Sequence, residues 1–286
     1  MSRLPRNQTG ATQPHARRCY FCGEGGPFTK EHAWPQWMRE EANVPPTRVQ
    51  TISGFSRTSE SAFTEGPSLR RLRQGSVMTI KVREVCRRCN NGWMSRLEMT
   101  AKPVLERLWL NELSRLSSKE VAVLSRWAVK TAWMHERATH EQPTPTIEQR
   151  RSLVSEALPP NTRVWASRYA GERNFGCPIV QLTIKHQAQP WNWRESRRVL
   201  IAIAVCNGLA LMVRNDDGPG APPFQPDDAG WLQLWPRFTR GTLPWPPQRL
   251  VTDDEIEWRL KYHGDWARLP DVPVFERDGR GWQESL

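Results

Sequence analysis

Val199-Leu-Ile-Ala-Ile-Ala-Val-Cys206-Asn207-Gly208-Leu209-Ala-Leu-Met-Val-Arg-Asn215 is two apolar runs joined by Asn-Gly. Asn and Gly both accept positive φ, which a two-residue hairpin turn demands, so the stretch predicts two antiparallel strands. On either side the same period continues. TRVWASRYA (162–170) and PIVQLTIKH (178–186) alternate apolar with polar, and WLQLWP (231–236) reads as a further strand. TDDEIEWRLKYH (252–263) opens with a capping signal and predicts a short late helix. Upstream the spacing changes to three and four. Pro103 suits a first helical turn, so PVLERLWLNELSRL (103–116) predicts a helix with Val104, Leu105, Leu108, Leu113 and Leu116 near one face. Ser117 or Ser118 caps a second helix, carrying Val121, Leu124, Ala128, Ala132 and His135. TPTIEQRRSLVSEALPP (144–160) predicts a third, stopped by Pro159–Pro160. Helices followed by strands predict an α+β chain with an antiparallel sheet, not a doubly wound one.

The 286 residues suffice for one or two domains, and 41 Lys+Arg against 30 Asp+Glu give a net charge of +11. The excess is uneven: residues 1–100 carry 16 basic and 8 acidic side chains, the remainder 25 and 22. A basic N-terminal third implies a polyanionic partner, nucleic acid being the commonest. Compositional bias is the bland alternative, since 34 of the 41 basic residues are Arg. The longest apolar stretch is the eight residues 199–206, well short of the ~20 needed to span a bilayer, so no membrane partner is expected. Residues 1–18 are polar and basic, without the apolar core of a signal peptide, so a cytoplasmic, reducing setting is expected. That segment reads as a disordered arm. Residues 19–102 read as a compact cysteine-marked domain with a polar insertion near 45–75, and 103–286 as a C-terminal domain of unassigned role.

Cys19-Tyr-Phe-Cys22 and Cys86-Arg-Arg-Cys89 are two CxxC pairs with 63 residues between them. Each CxxC turn converges two thiolates on one ion, and two such turns complete a tetrahedral four-cysteine site, which suits a structural Zn2+. A redox CxxC comes singly and beside a βαβ pattern, which this chain lacks. The long spacer is tolerable because loop-closure entropy grows slowly with length. Cys177 and Cys206 lie in apolar strand contexts and are expected to be plain buried thiols.

Between the pairs stands Thr29-Lys-Glu31-His32-Ala-Trp-Pro35, and after the second stands Asn90-Asn-Gly-Trp93. CxxC, acid-His-x-x-Pro and CxxC-Asn in this order resemble the HNH (His-Me finger) endonucleases in their zinc-bearing treble-clef form, over about residues 19–100. The resemblance implies a ββα-metal domain that hydrolyses phosphodiester bonds in DNA. It implies His32 as general base, with Glu31 and Asn90 as ligands of a catalytic Mg2+ or Mn2+. Glu98, eight residues after Asn90 and near the same helical face, would complete the metal shell or else be a solvent-facing acid. Arg87 and Arg88 in the second knuckle, and Arg70, Arg71 and Arg73 in the insertion, would contact phosphates. The chain departs from the family pattern in three places. Glu31 stands where Asp is commoner, Lys81 where many members carry Asn, and Gln36-Trp37-Met38 where Gly-Gly is usual. Trp34, Trp37 and Trp93 would stack on bases or seal the small core, and the later tryptophans read as packing. Two other functions remain open from sequence: a zinc-finger nucleic-acid-binding protein without catalysis, and an RNA-cleaving nuclease.

Overall fold

The computed structural model describes residues 17–41, 77–140, 142–184, 197–216, 230–236, 241–262, 274–278 and 281–285. Apart from Arg17 and Arg18, the expected arm lies outside these residues, as does the expected insertion. In chain order come Phe28–His32 (β1), Gln36–Glu41 (α1), Lys81–Cys86 (β2), the single turn Arg87–Cys89 (α2), Ser95–Trp109 (α3), Arg115–Leu116 (β3), Ser118–Thr139 (α4) and Ile147–Val154 (α5). Strands follow: Thr162–Arg168 (β4), Phe175–Gly176 (β5), Ile179–Ile184 (β6), Arg197–Cys206 (β7), Leu209–Asp216 (β8), Leu232–Trp235 (β9) and Leu243–Pro244 (β10). The chain ends with Asp253–Tyr262 (α6) and the hairpin Val274–Asp278 (β11), Gly281–Ser285 (β12). The class is α+β with antiparallel pairing throughout the named strands.

The main sheet has six strands in the order β5-β7-β8-β4-β9, with β6 also paired to β7. The β7–β8 hairpin closes at Asn207 (φ 46°) and Gly208 (φ 79°), the two left-handed residues that an Asn-Gly turn provides. Both faces of this hairpin are covered. Leu200, Ala202, Ala204 and Cys206 join the core that includes α4, while Val199, Ile201, Ile203 and Val205 pack in a second cluster with Ile256 and Leu260 of α6. Burial on both faces is why the two runs are continuously apolar instead of alternating.

Helix α4 occupies the middle of the molecule. Ser117 caps it with a capping box: its Oγ accepts from the Glu120 N–H at 3.3 Å, and its own N–H donates to Glu120 Oε2 at 2.7 Å. Every residue from Trp127 to Glu136 is buried, as expected of a helix with packing on all sides. Trp34 near β1 links the small β1–β2 unit to this helix and to the sheet, with ring centroids 6.0 Å from Trp127 and 5.7 Å from Phe175.

Two helix expectations are corrected. Helix α3 begins at Ser95, not Pro103, and carries Pro103 inside it. Pro103 is exposed, and the carbonyl it leaves without a helical donor is that of Met99, whose side chain is 66% exposed, so water can satisfy it. Burial of Leu97, Ala101, Val104, Leu105 and Leu108 along the other face offsets the local cost. The same helix stops at Trp109; Asn111 turns the chain with φ 56°, and Leu116 packs from β3, which pairs with β10. Helix α5 ends at Val154, where Glu156 takes φ 66°, before the two prolines are reached. The division at 102/103 falls inside α3, and buried side chains on both sides of it form a continuous cluster from Cys19 to Trp245. No helix among the described residues is long and apolar enough to cross a membrane.

Candidate metal centre and adjoining cleft

The four cysteines of the two CxxC pairs are buried, and their Sγ atoms all lie within 4.8 Å of one another. Cys22 Sγ and Cys86 Sγ are 3.8 Å apart, far beyond a disulfide bond and close to the ~3.8 Å edge of a tetrahedron with Zn–S bonds of about 2.3 Å. The Cys86 N–H donates to Cys19 Sγ at 3.3 Å and the Cys89 N–H to Cys86 Sγ at 3.5 Å. A hydrogen bond from the Cys89 thiol and backbone N–H donors of Cys86, Cys22 and Phe21 favour the Cys19 thiolate, while burial opposes it. Four buried sulfurs this close together, with N–H donors beside them, could hold a metal ion such as zinc. The other two thiols, Cys177 and Cys206, are buried, and burial pushes both above their ordinary range.

The cluster holds one end of a hairpin and the start of a helix together. β1 pairs with β2 from Phe28↔Cys86 to His32↔Lys81, with one extra residue on β2 between the Thr29↔Val85 and Glu31↔Val82 pairs. Such a bulge re-aims the strand. Beyond it Glu31 is buried and His32 half-buried. After Cys89 the chain passes through Asn90–Met94, where Gly92 breaks helical geometry, into α3. Asn90 Nδ2 donates to Thr29 Oγ1 at 3.0 Å, and Thr29 Oγ1 donates to the Val85 carbonyl at 3.1 Å, so the carboxamide is locked to the hairpin.

Glu31, His32, Asn90 and Glu98 line one cleft of about 260 Å³, with Pro35, Gln36, Asn91 and Ser95. Burial raises the Glu31 pKa above the usual carboxylate range, against the opposing pull of Lys130 and a hydrogen bond from Asn90. Burial lowers the His32 pKa, and the Lys81 ammonium beside it acts in the same direction, so the imidazole is neutral near pH 7. Glu98 is not free: its carboxylate, which keeps some solvent exposure, accepts from Lys130 Nζ, and Lys130 on α4 has no exposed surface. The cysteines are the sole group of three or more His, Cys, Asp or Glu ligand atoms clustered tightly enough for a metal among the described residues.

Arg87 and Arg88 do not line this cleft. They border a neighbouring cavity with Glu24 to Pro27, Asn91 and Gly92, where Arg88 Nη2 is 2.6 Å from Glu24 Oε2. Arg70, Arg71 and Arg73 lie outside the described residues. Trp34 and Trp93 are buried packing residues, and Trp37 leans on Trp109 with ring centroids 5.7 Å apart. Sequence reading passed over Thr29 and Lys130. The signal for Lys130 was a lone charge within Trp127-Ala-Val-Lys130-Thr-Ala-Trp133, a run that buries on every side. In comparisons with protein-family models, curated proteins and solved structures, nothing matches this chain.

Proposed function

We propose that the chain is a divalent-metal-dependent endonuclease of the HNH kind, hydrolysing phosphodiester bonds in DNA, with structural zinc in the four-cysteine cluster. The observation that carries this reading is the convergence of an acid, a neutral imidazole and a carboxamide in one cleft beside that cluster, on a hairpin and the helix following it. The donor set suits Mg2+ or Mn2+. Glu31 is a hard oxygen donor whose burial is costly, a cost that a cation beside it would relieve. Mg2+ needs few protein ligands, because it retains water and takes substrate phosphate oxygens. Glu31 and Asn90 would hold the ion, which when bound offsets charge building on the scissile phosphate.

The chain's own residues supply the remainder. Neutral His32, which lines the cleft, accepts a proton from the attacking water at its imidazole nitrogen. Thr29 fixes the Asn90 carboxamide, so that group does not reorganise when substrate arrives. Lys130 neutralises Glu98 and leaves Glu31 as the cleft's unpaired acid among the described residues.

One observation favours a second reading. The Lys130 ammonium already offsets part of the cleft's negative charge, as expected of a nucleic-acid-binding module that keeps the frame without catalysis. Plasmid nicking separates the two. Supercoiled DNA should be opened only with added Mg2+ or Mn2+, and His32→Ala should slow cleavage by roughly 10²–10⁴-fold at unchanged zinc content. A wild-type protein that binds DNA but never cuts it establishes the binding module. Cleavage of single-stranded RNA in preference to duplex DNA reassigns the substrate.

A further inference from the structure

A second cavity, of about 450 Å³, opens between the first knuckle and α5 and shares no residue with the Glu31–His32 cleft. Its lining is rich in guanidinium. Arg18 Nη1 donates to the Gly23 carbonyl at 3.3 Å, Arg150 Nη1 to the Tyr20 carbonyl at 2.6 Å, and Arg151 Nε to the Cys22 carbonyl at 3.1 Å. Arg150 also lies over the Tyr20 ring, 4.6 Å from its centroid. The cavity's one acid, Glu84, is taken by Arg137 through two hydrogen bonds of 2.7 and 2.6 Å. Arg18, Arg150 and Arg151 form no ion pair among the described residues.

No carboxylate is ion-paired with these three cations among the described residues, although Glu136 acts on Arg150 and Glu148 on both Arg150 and Arg151 at longer range. Burial lowers the Arg150 pKa and the neighbouring Arg137 adds to that, while Tyr20, Glu136 and Cys19 pull the other way. Bonds to the knuckle carbonyls fix the three forks in place and use only some of their donors, which is the preorganisation that phosphate recognition exploits. Gly23 keeps the cavity open. It sits at φ 75°, and a Cβ there would come within 3.2 Å of both Arg151 Nη2 and Ile147 Cδ1.

We propose that this arginine-lined cavity binds a backbone phosphate of a nucleic-acid strand, at a contact separate from the cleft. It rests on the nucleic-acid part of the reading above and not on catalysis. A strand is favoured over a small free anion because the sequence of the N-terminal third, to which the first CxxC pair belongs, is strongly basic, with 16 basic against 8 acidic residues.

The test measures binding of a labelled duplex to the full, zinc-loaded chain by fluorescence anisotropy, without divalent metal, between about 50 and 200 mM salt. Each phosphate contact adds about 0.9 to the slope of log affinity against log salt. The Arg18→Gln/Arg151→Gln double variant should lose up to about one unit of that slope, as expected for one phosphate, and Arg18→Lys/Arg151→Lys should retain it. An unchanged slope in a folded, zinc-loaded Gln variant overturns the proposal, as does displacement of the duplex by equimolar pyrophosphate. Should the Gln variant lose zinc, the wild-type protein decides: duplex should protect Arg18 and Arg151 from phenylglyoxal, and equal labelling with and without duplex overturns the proposal. Because cleavage is not read, a protein that binds but fails to cut removes the nuclease reading alone.

Discussion

A lysine ammonium with no exposed surface, bonded to a carboxylate that is 18% exposed, sets the electrostatics beneath the cleft. Removing one partner of a buried pair strands the other charge, which costs about 3–5 kcal/mol, whereas removing both is often close to neutral. Lys130→Met should therefore destabilise the protein by about 3 kcal/mol, the low end because Glu98 keeps some solvent. Adding Glu98→Gln should recover most of that loss. Urea melts of the two single variants and the double decide it: simple additivity of the single costs would mean that the pair is not coupled. The pair also shows where reading residues one at a time stops. The four cysteines are legible because each CxxC pair records itself in a short fixed spacing. Lys130 meets Glu98 across 32 residues and between two helices, and nothing local in the chain records that meeting.

At the scale of elements, α4 carries two adjacent buried groups that titrate in opposite senses. His135 stands edge-on to Trp34, 5.3 Å between ring centroids, and burial drops its pKa from 6.5 to about 3, with Lys130 adding to the effect. Glu136 accepts from the Thr144 N–H at 2.8 Å and from Gln181 Nε2 at 3.2 Å; burial lifts its pKa from 4.5 to about 7 against the pull of Arg198 and Arg150. Between pH 6.5 and 3 the unfolded chain holds a His135 proton that the folded chain lacks, so acid destabilises. Between pH 4.5 and 7 the folded chain holds a Glu136 proton that the unfolded chain lacks, so base destabilises. Over the overlap, pH 4.5–6.5, the two contributions oppose each other. Glu136→Gln keeps the Thr144 contact and removes the second titration. Its stability should rise relative to wild type across that window by about 3 kcal/mol, roughly two pH units at about 1.36 kcal/mol each. Urea melts at several pH values check this, and a variant whose profile parallels wild type over that range would sink the assignment. The element itself was legible, since Ser117 and Glu120 form a capping box at its start. The start of α3 was not, because Pro103 usually marks a first turn and here sits on an exposed face inside the helix. The two-residue pairing of β3 with β10 is set by contacts over a hundred residues apart, and no local pattern announces it.

Across the whole molecule, the knuckle cysteines belong to the same buried cluster as Trp127, Trp133, Leu200 and Trp245. That continuity was hidden in the sequence, where a cysteine-marked segment and a helix-then-strand segment look separable. What joins them is packing by Trp34 and polar ties from later elements to the first knuckle: Arg150 to the Tyr20 carbonyl and Arg151 to the Cys22 carbonyl. Arg137 adds a two-bond tie from α4 to Glu84 of β2. Loss of zinc should consequently be felt beyond the hairpin. Structural zinc contributes roughly 10–16 kcal/mol of apparent binding energy to folding, comparable to the whole stability of a typical domain, about 5–15 kcal/mol. Purified protein should contain one equivalent of zinc, and stripping it with a strong chelator should abolish near-ultraviolet circular dichroism from the buried tryptophans, including those in the sheet. Heating the zinc-loaded protein should give one cooperative transition by tryptophan fluorescence and by far-ultraviolet signal, and Cys22→Ser or Cys89→Ser should lower that transition as a unit. Two separate transitions, with the later one indifferent to chelation, would show that the sheet folds without the knuckles and that the shared core transmits little. Retention of the full tryptophan signal after the zinc is gone would show that the cysteine cluster is not the staple on which this fold depends.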